Sequence, residues 1–161
     1  MGTRRLSPRS SFGSINGVRQ YLWRAVDQNG DLIDILVQPR RDGRAALRFF
    51  RKLLKGQKQG PFRLVTDKLG SYQVAHRDIM PDVIHDTRRY ANNRAEVSHQ
   101  PTRQRERQMR GVKSTDHAQR FLYVHGVIQN LFRVGRHLLR SVHHRMLRAR
   151  SFTVWADVTT A

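Results

Sequence analysis

Two carboxylates stand out in this strongly basic sequence because their surroundings could support metal chemistry. Asp67 ends the apolar run FRLVTD, and Glu96, one of only two glutamates, opens a long arginine-rich segment. Carboxylate oxygens are the ligands that hard divalent cations prefer. A divalent ion held by such acids beside a row of arginines is an arrangement suited to phosphoryl transfer on nucleic acid.

Each of these acids also has an ordinary structural interpretation. Asp67 could be a turn residue that precedes a helix, since aspartate is common in turns. Glu96 falls at the third helical position if Asn93 caps a helix, and a glutamate there can complete a capping box. The residues alone leave both interpretations open.

Basic side chains follow Glu96 at helical spacing. In a helix, Gln100, Arg103, Arg107 and Arg110 would share a face with Glu96. Such a row could contact successive phosphates, and the alternative is a solvated charged surface. The residues predicted to contact DNA are Arg103, Arg105, Arg107, Arg110 and Lys113.

Composition restricts the class of protein and favours an anionic partner. The 161 residues include 31 Lys plus Arg and 12 Asp plus Glu, a net charge of +19. Nucleic acid is the favoured partner and an acidic membrane surface is the alternative. The absence of cysteine excludes disulfides and thiolate zinc sites. The apolar runs are too short to span a bilayer, and we expect no secretory signal.

The order of periodic segments predicts a mixed sheet with helices packed on it. Two strand-like runs, 21–26 and 32–37, flank Asn29-Gly30, a dipeptide typical of a tight hairpin turn. A helix begins at Gly43, with Phe49 and Leu53 on its apolar face. The further predicted elements are a strand ending at Asp67, a helix over 71–79, a strand within 82–89, long helices from 92 and 114, and a short docked helix anchored by Phe152 and Trp155. The helix from 114 has an apolar stripe at helical spacing, formed by Phe121, Leu122, Ile128, Leu131, Phe132 and Leu138.

Five strings in this chain resemble a known family. They are INGVRQYLWRAVD, FFRKLLKG, VTDKLGSY, NNRAEVSHQPTRQRERQMRGVKS and QRFLYVHGVIQNLFRVGRHLLR. Together they are similar to the catalytic domain of bacterial insertion-sequence transposases of the DDE class, within the IS-six family. The resemblance extends from about Ile15 to the C-terminus, and the arginine-rich string is its most specific part.

The resemblance implies a ribonuclease-H-like α/β fold, here with an incomplete first strand. It also implies three acids that bind two Mg²⁺ (or Mn²⁺) ions for phosphodiester cleavage and strand transfer. Asp67 matches the second acid and Glu96 the third. The implied partners are double-stranded DNA, as transposon ends and target, and further copies in a homodimer or higher synaptic assembly. The implied location is the bacterial cytoplasm, in association with the nucleoid.

One departure from the family pattern bears on activity. The first acid of the family lies just upstream of the INGV string, where this chain has Arg9 followed by Ser10, and no acid precedes Asp27. Asp27 and Asp34 lie on the predicted hairpin and are not expected to reach that position. An arginine there would repel a divalent cation that an aspartate would bind.

The sequence therefore predicts a transposase remnant with weak or no strand transfer, and whether the chain is an enzyme stays open. The upstream helix-turn-helix segment of the family is also expected to be absent. Two alternatives stand beside this hypothesis: a non-catalytic DNA-binding protein that interferes with intact transposase, and a basic structural protein bound to RNA. The predicted organisation is a degenerate or disordered start over 1–14, an incomplete catalytic core over 15–113 and a C-terminal helical part over 114–161.

Overall fold

Four strands come first in the chain, and helices then alternate with two further strands before two final helices. The computed structural model describes residues 3–8, 13–56, 60–66, 70–88, 112–133 and 140–160, with backbone alone for 3–8. Within these residues the elements are β1 (Thr3–Pro8), β2 (Gly13–Ile15), β3 (Val18–Val26), β4 (Leu32–Gln38), α1 (Gly43–Lys55), β5 (Arg63–Thr66), α2 (Gly70–Ile79), β6 (Ile84–Asp86), α3 (Thr115–Phe132) and α4 (Ser141–Thr160).

One mixed sheet organises the molecule, as the sequence predicted. Its strands lie in the order β4-β3-β1-β5-β6, and β2 pairs with the first residues of β3. β3 is antiparallel to β1 and β4, whereas β1, β5 and β6 are parallel. β1, β4, β5 and β6 therefore all run in the same direction, against β3.

The start of the chain differs from the prediction. The sequence predicted a degenerate or disordered segment over 1–14 and an incomplete first strand, but Thr3–Pro8 forms a six-residue strand between β3 and β5. The basic residues of this segment gave no apolar alternation to indicate a strand. Pairing with a neighbour on each side supplies backbone hydrogen bonds that do not depend on the side chains, and this tertiary context outweighs local propensity.

The β3–β4 hairpin is confirmed, but its turn is wider than the Asn-Gly pair predicted. Of that pair only Gly30 has positive φ, at 91°. The Asp27 carboxylate accepts hydrogen bonds from the backbone N–H of Asn29 at 2.8 Å and of Asp31 at 2.9 Å. This local bonding stabilises a five-residue connection, 27–31, in place of a two-residue turn.

Aromatic side chains fill the sheet face under α1 and α2. Asp42 caps α1, as its carboxylate accepts from the N–H of Ala45 at 2.9 Å. From α1, Phe49 and Phe50 are fully buried, and they meet Trp23 of β3 and Tyr72 of α2. This confirms the apolar face predicted for α1, and the cluster anchors the helices that flank the middle of the sheet.

α3 covers the opposite face, where the core is smaller and aliphatic. Ser114 caps the helix, and Ala118 and Leu122 pack on Leu22 and Ile35. The predicted stripe Phe121, Leu122, Ile128, Leu131, Phe132 and Leu138 is buried fully only at Leu122, and Leu138 lies outside the described residues. Only part of the stripe, Leu122 with Phe121 beside it, therefore joins α3 to the sheet, together with Ala118.

The C-terminal helix is longer and less enclosed than predicted. α4 has 20 residues, and Ser151 is its only buried residue among those described. Phe152 is 53% exposed, although its ring lies 5.1 Å from that of Phe132 and the Trp155 ring lies 6.2 Å from the same phenylalanine. α4 thus contacts the end of α3 through these two rings. No helix in the described part of the chain is both long and apolar enough to cross a membrane.

Candidate active site at the carboxyl edge of the sheet

The strands that run in one direction end together and define what we call the carboxyl edge. Leu6 of β1 pairs with Thr66 of β5, and Val65 pairs with Asp86 of β6. The ends of these three strands are therefore nearly level. Polar side chains contributed by neighbouring parallel strands meet at such an edge, where α/β proteins place their ligands.

Two of the residues singled out by the sequence directly follow strands that end at this edge. Arg9 follows β1 and Asp67 follows β5 in the chain. Both lie outside the described residues. The two strands that precede them, β1 and β5, are adjacent and parallel.

A threonine and two histidines hold the end of β5. Thr66 is 1% exposed, and its Oγ1 lies 2.7 Å from Nε2 of His85 on β6. The His76 ring of α2 stacks on His85 at 4.7 Å, and its Nε2 donates to the carbonyl of Val83 at 2.7 Å. Burial, and then the neighbouring His76, lower the pKa of His85. The residue before Asp67 is therefore held by a cluster of polar side chains.

Asp86 places a carboxylate at the same edge, but this carboxylate already forms an ion pair with Arg88. Arg88 donates to both oxygens of Asp86, from Nε at 3.0 Å and from a terminal nitrogen at 2.7 Å. These side-chain bonds, with a further bond from the Arg88 backbone, lower the pKa of Asp86 to about 2. Asp86 is accordingly an internally neutralised acid and not an open metal ligand.

The other acids near the sheet are turned to structural uses. Asp27 lies in the turn after β3, at the end of the sheet opposite the carboxyl edge. Asp34, in the middle of β4, pairs with Lys52 of α1. Asp42 caps α1. Neither Asp27 nor Asp34 lies at the carboxyl edge, and no cluster of three or more metal-binding side chains occurs among the described residues.

The arginine-rich segment lies in a stretch of chain whose two ends are both near the carboxyl edge. This stretch begins after Arg88, which follows β6. It ends at Val112, which packs on the cluster of Ile15 and Leu22, and at exposed Lys113, whose carbonyl accepts from Asn16 Nδ2 at 3.4 Å. The residues between them include Glu96, Arg103, Arg105, Arg107 and Arg110, all outside the described residues.

The position of this junction follows from the strand register. Trp23 pairs with Pro8, so the first residues of β3 and the turn that contains Asn16 extend beyond the end of β1. Both ends of the segment that carries Glu96 are thus fixed near the carboxyl edge. Of the predicted site residues, only Lys113 is within the described structure.

Sequence reasoning missed the pairs His76–His85 and Asp86–Arg88. The spacing of Asp86 and Arg88, two residues apart at the end of a predicted strand, could have indicated an ion pair. No sequence signal indicates the histidine stack, because it depends on how α2 packs on β6 after the chain has crossed the sheet.

Comparison with known proteins finds relatives among insertion-sequence transposases. The family model of the IS240-type transposase DDE domain matches residues 11–135. A Staphylococcus aureus protein described as "Transposase for insertion sequence-like element IS431mec" is 31% identical over 110 residues, which are 65% of this chain and 48% of that protein. The same figures hold for "Transposase for insertion sequence element IS257 in transposon Tn4003" of S. aureus. The chain thus spans about half the length of these curated relatives.

A solved structure shares the fold at low sequence identity. The catalytic core domain of BIV integrase matches with a TM-score of 0.53 and 12% identity, over 83% of this chain and 86% of that domain. The strand order around a central β1 and this match confirm the ribonuclease-H-like fold that the sequence predicted.

Proposed function

The chain belongs to the IS-six family of DDE transposases, and on that premise we propose that it derives from the catalytic part of an insertion-sequence transposase acting on double-stranded DNA. The single observation that carries this proposal is the adjacency of parallel β1 and β5, whose ends lead directly into Arg9 and Asp67. Family DDE enzymes place acids after such strands. We further propose association with the bacterial nucleoid and assembly of several copies on DNA.

We assign Asp67 and Glu96 as the acids that would bind a divalent ion at the carboxyl edge. The fixed Thr66 before Asp67, and the two junctions of the Glu96 segment near this edge, support their convergence. Oxygen donors of this kind suit Mg²⁺ or Mn²⁺. When bound, such ions stabilise the charge on the attacking and leaving oxygens of a phosphodiester. The residues of the chain would orient the ions and the DNA.

The donor set fits the family's two-ion chemistry only in part. Position 9 is an arginine, and Asp86 at the same edge is already neutralised by Arg88. Two unit charges about 4 Å apart interact by about 4 kcal/mol at an effective dielectric of 20, and a divalent ion doubles this figure. We therefore propose that the chain retains the fold and binding to DNA while strand transfer is weak or lost.

The arginine-rich segment is the proposed DNA contact next to this site. Arg103, Arg105, Arg107, Arg110 and Lys113 would neutralise phosphates, with a steep salt dependence. If Arg103 or Arg107 contacts a phosphate, its change to alanine should lower the salt slope by about one.

A plasmid nicking and strand-transfer assay in Mg²⁺ and Mn²⁺ tests the proposal. We expect DNA binding but little chemistry from the natural chain. Arg9→Asp should produce metal-dependent nicking, Arg9→Asn should not, and Arg9→Asp with Asp67→Ala should lose what Arg9→Asp gained. Robust activity of the natural chain that Asp67→Ala abolishes would contradict the remnant hypothesis, and Arg9→Asp without any gain would contradict the assignment of position 9.

A second function is favoured by the same arginine. A chain that folds and binds DNA but lacks one acid could enter mixed assemblies and inhibit intact transposase of its family. Titration of this chain into a transposition assay with an intact family member should then lower the yield below that given by an equally basic, unrelated protein. An equal effect of the two would reject interference.

A further inference from the structure

The outer surface of α1 carries a row of cations that the proposed site does not use. The α1 sequence GRAALRFFRKLLK contains five basic residues and no acid. Four of the cations are exposed at helical spacing, and with Leu47 and Lys52 they line an open concavity on the helix surface. We name the four the α1 basic row: Arg44, Arg48, Arg51 and Lys55.

The α1 basic row has no counter-charge within the described part of the chain. The ion pairs found there join Arg40 to Asp42, Lys52 to Asp34 and Arg88 to Asp86. Lys52 differs from the row because it turns towards β4, where its Nζ also donates to the carbonyl of Ile35 at 3.1 Å. Like charges three and four residues apart destabilise a helix. The row therefore gains from an external polyanion.

The direction of α1 relates this row to the candidate active site. α1 connects the end of β4, at the carboxyl edge, to the start of β5 at the opposite edge. The row therefore begins near the carboxyl edge, at Arg44, and leads away from it to Lys55. Its length along the axis is about 16 Å from the helical rise, which corresponds to roughly five phosphates on one strand of B-DNA.

We propose that the α1 basic row binds the phosphate backbone of double-stranded DNA that extends beyond the carboxyl edge. This inference rests on the proposed function, because it takes the DNA at that edge as the same duplex. The contact is distinct from that of the arginine-rich segment, and it is independent of sequence because phosphates carry the recognition. A second copy of the chain is a poor occupant, since self-pairing of the row would place like charges opposite each other.

Salt-dependent binding of the full chain to a 20-base-pair duplex of arbitrary sequence tests the proposal. The test variant is Arg48→Gln with Arg51→Gln. Its matched control is Arg145→Gln with Arg148→Gln, which removes two exposed arginines at the same spacing from α4. Two lost phosphate contacts should lower the salt slope by about 1.8 and the affinity at 0.15 M salt by about 30-fold, if the extrapolated affinity at 1 M salt is unchanged. We expect less than about threefold from the control.

Several outcomes would overturn the inference. Equal losses in the two double variants would mean that net charge alone matters. Unchanged binding by Arg48→Gln with Arg51→Gln, alongside weakened binding by Arg103→Ala, would reject the α1 contact and leave the proposed function intact. No binding of duplex DNA by the natural chain would reject both. If Arg48→Gln with Arg51→Gln weakens binding to phosphatidylserine vesicles and leaves binding to DNA unchanged, the row belongs to a membrane surface and our proposal is rejected.

The far-UV circular dichroism spectrum and the unfolding midpoint check that the variants fold. Arg48 and Arg51 are exposed, and glutamine is as good a helix former as arginine, so we expect both measurements to match the natural chain. If the first pair unfolds, Arg44→Gln with Lys55→Gln tests the same row from its two ends. That pair should give a similar decrease in salt slope, and an unchanged slope would overturn the inference.

Discussion

The two faces of the sheet are attached to their helices by different physical means. Under α1 and α2, Trp23 contacts Phe49 at 5.9 Å and Tyr72 at 5.5 Å between ring centroids, and all three side chains are fully buried. Apolar burial of this kind is strong and weakly directional. The face under α1 and α2 therefore derives its stability from the area that its rings remove from water.

Under α3, directional hydrogen bonds supplement a thinner apolar layer. Gln119 accepts from the Val37 N–H and donates to the Ile35 carbonyl, both at 2.8 Å. Asn130 likewise accepts from the Leu32 N–H and donates to the Leu32 carbonyl, both at 2.8 Å. These amides satisfy backbone groups of the edge strand β4 that would otherwise be open to another strand. Apolar burial stabilises the aromatic face, whereas directional hydrogen bonds to the backbone of β4 contribute to the stability of the α3 face.

Removing an aromatic ring should have the largest effect. Phe49→Ala is expected to lower the free energy of unfolding by about 3–5 kcal/mol, because the ring is fully buried and its loss leaves a cavity. Urea titration followed by circular dichroism measures this loss. Leu122→Ala, the equivalent deletion on the α3 face, should cost about 3 kcal/mol. A smaller loss at Phe49 than at Leu122 would contradict the contrast between the faces.

Removing one of these side-chain amides should lower the stability less, and its effect should be more local. Gln119→Ala leaves the Val37 N–H without its bond, and we expect a loss of about 1–3 kcal/mol. Gln119→Glu keeps an acceptor for that N–H but places a carboxylate oxygen against the Ile35 carbonyl, so it should also be less stable than the natural chain.

Amide hydrogen exchange locates the effect of this change. The Val37 N–H should exchange faster in Gln119→Ala than in the natural chain, while amides in α1 keep their relative protection. Uniform acceleration across both faces would show that Gln119 supports the whole fold rather than the edge of β4.

Sequence patterns predicted the elements whose side chains decide their structure. α1 followed from its apolar period, since Phe49 and Leu53 must share a face. β1 was not predicted as a full strand, because pairing with β3 and β5 rather than side-chain pattern determines it. The site was predicted as residue types, Asp67 and Glu96, through a resemblance. The cluster of Thr66, His76 and His85 depends on the packing of α2 and β6, which no local pattern encodes.

The smallest expected loss of stability concerns the contact between Phe132 and α4. The sequence placed Phe132 in an apolar stripe, from which its change to alanine should cost about 3 kcal/mol or more. In the structure Phe132 is half-buried and contacts the Phe152 and Trp155 rings of α4. Aromatic pairs contribute about 0.5–1.5 kcal/mol each beyond burial. We therefore expect Phe132→Ala to lower global stability by only about 1 kcal/mol.

Tryptophan fluorescence separates local from global effects in this variant. The chain has two tryptophans, and Trp23 stays buried as long as the sheet is folded. Release of α4 should therefore shift the emission through Trp155 at denaturant concentrations where the circular dichroism of the sheet is unchanged. A loss of about 3 kcal/mol with a single coincident transition would show instead that Phe132 belongs to the main core. In that case the α3 face would also depend on aromatic burial, and the distinction between the two faces would no longer hold.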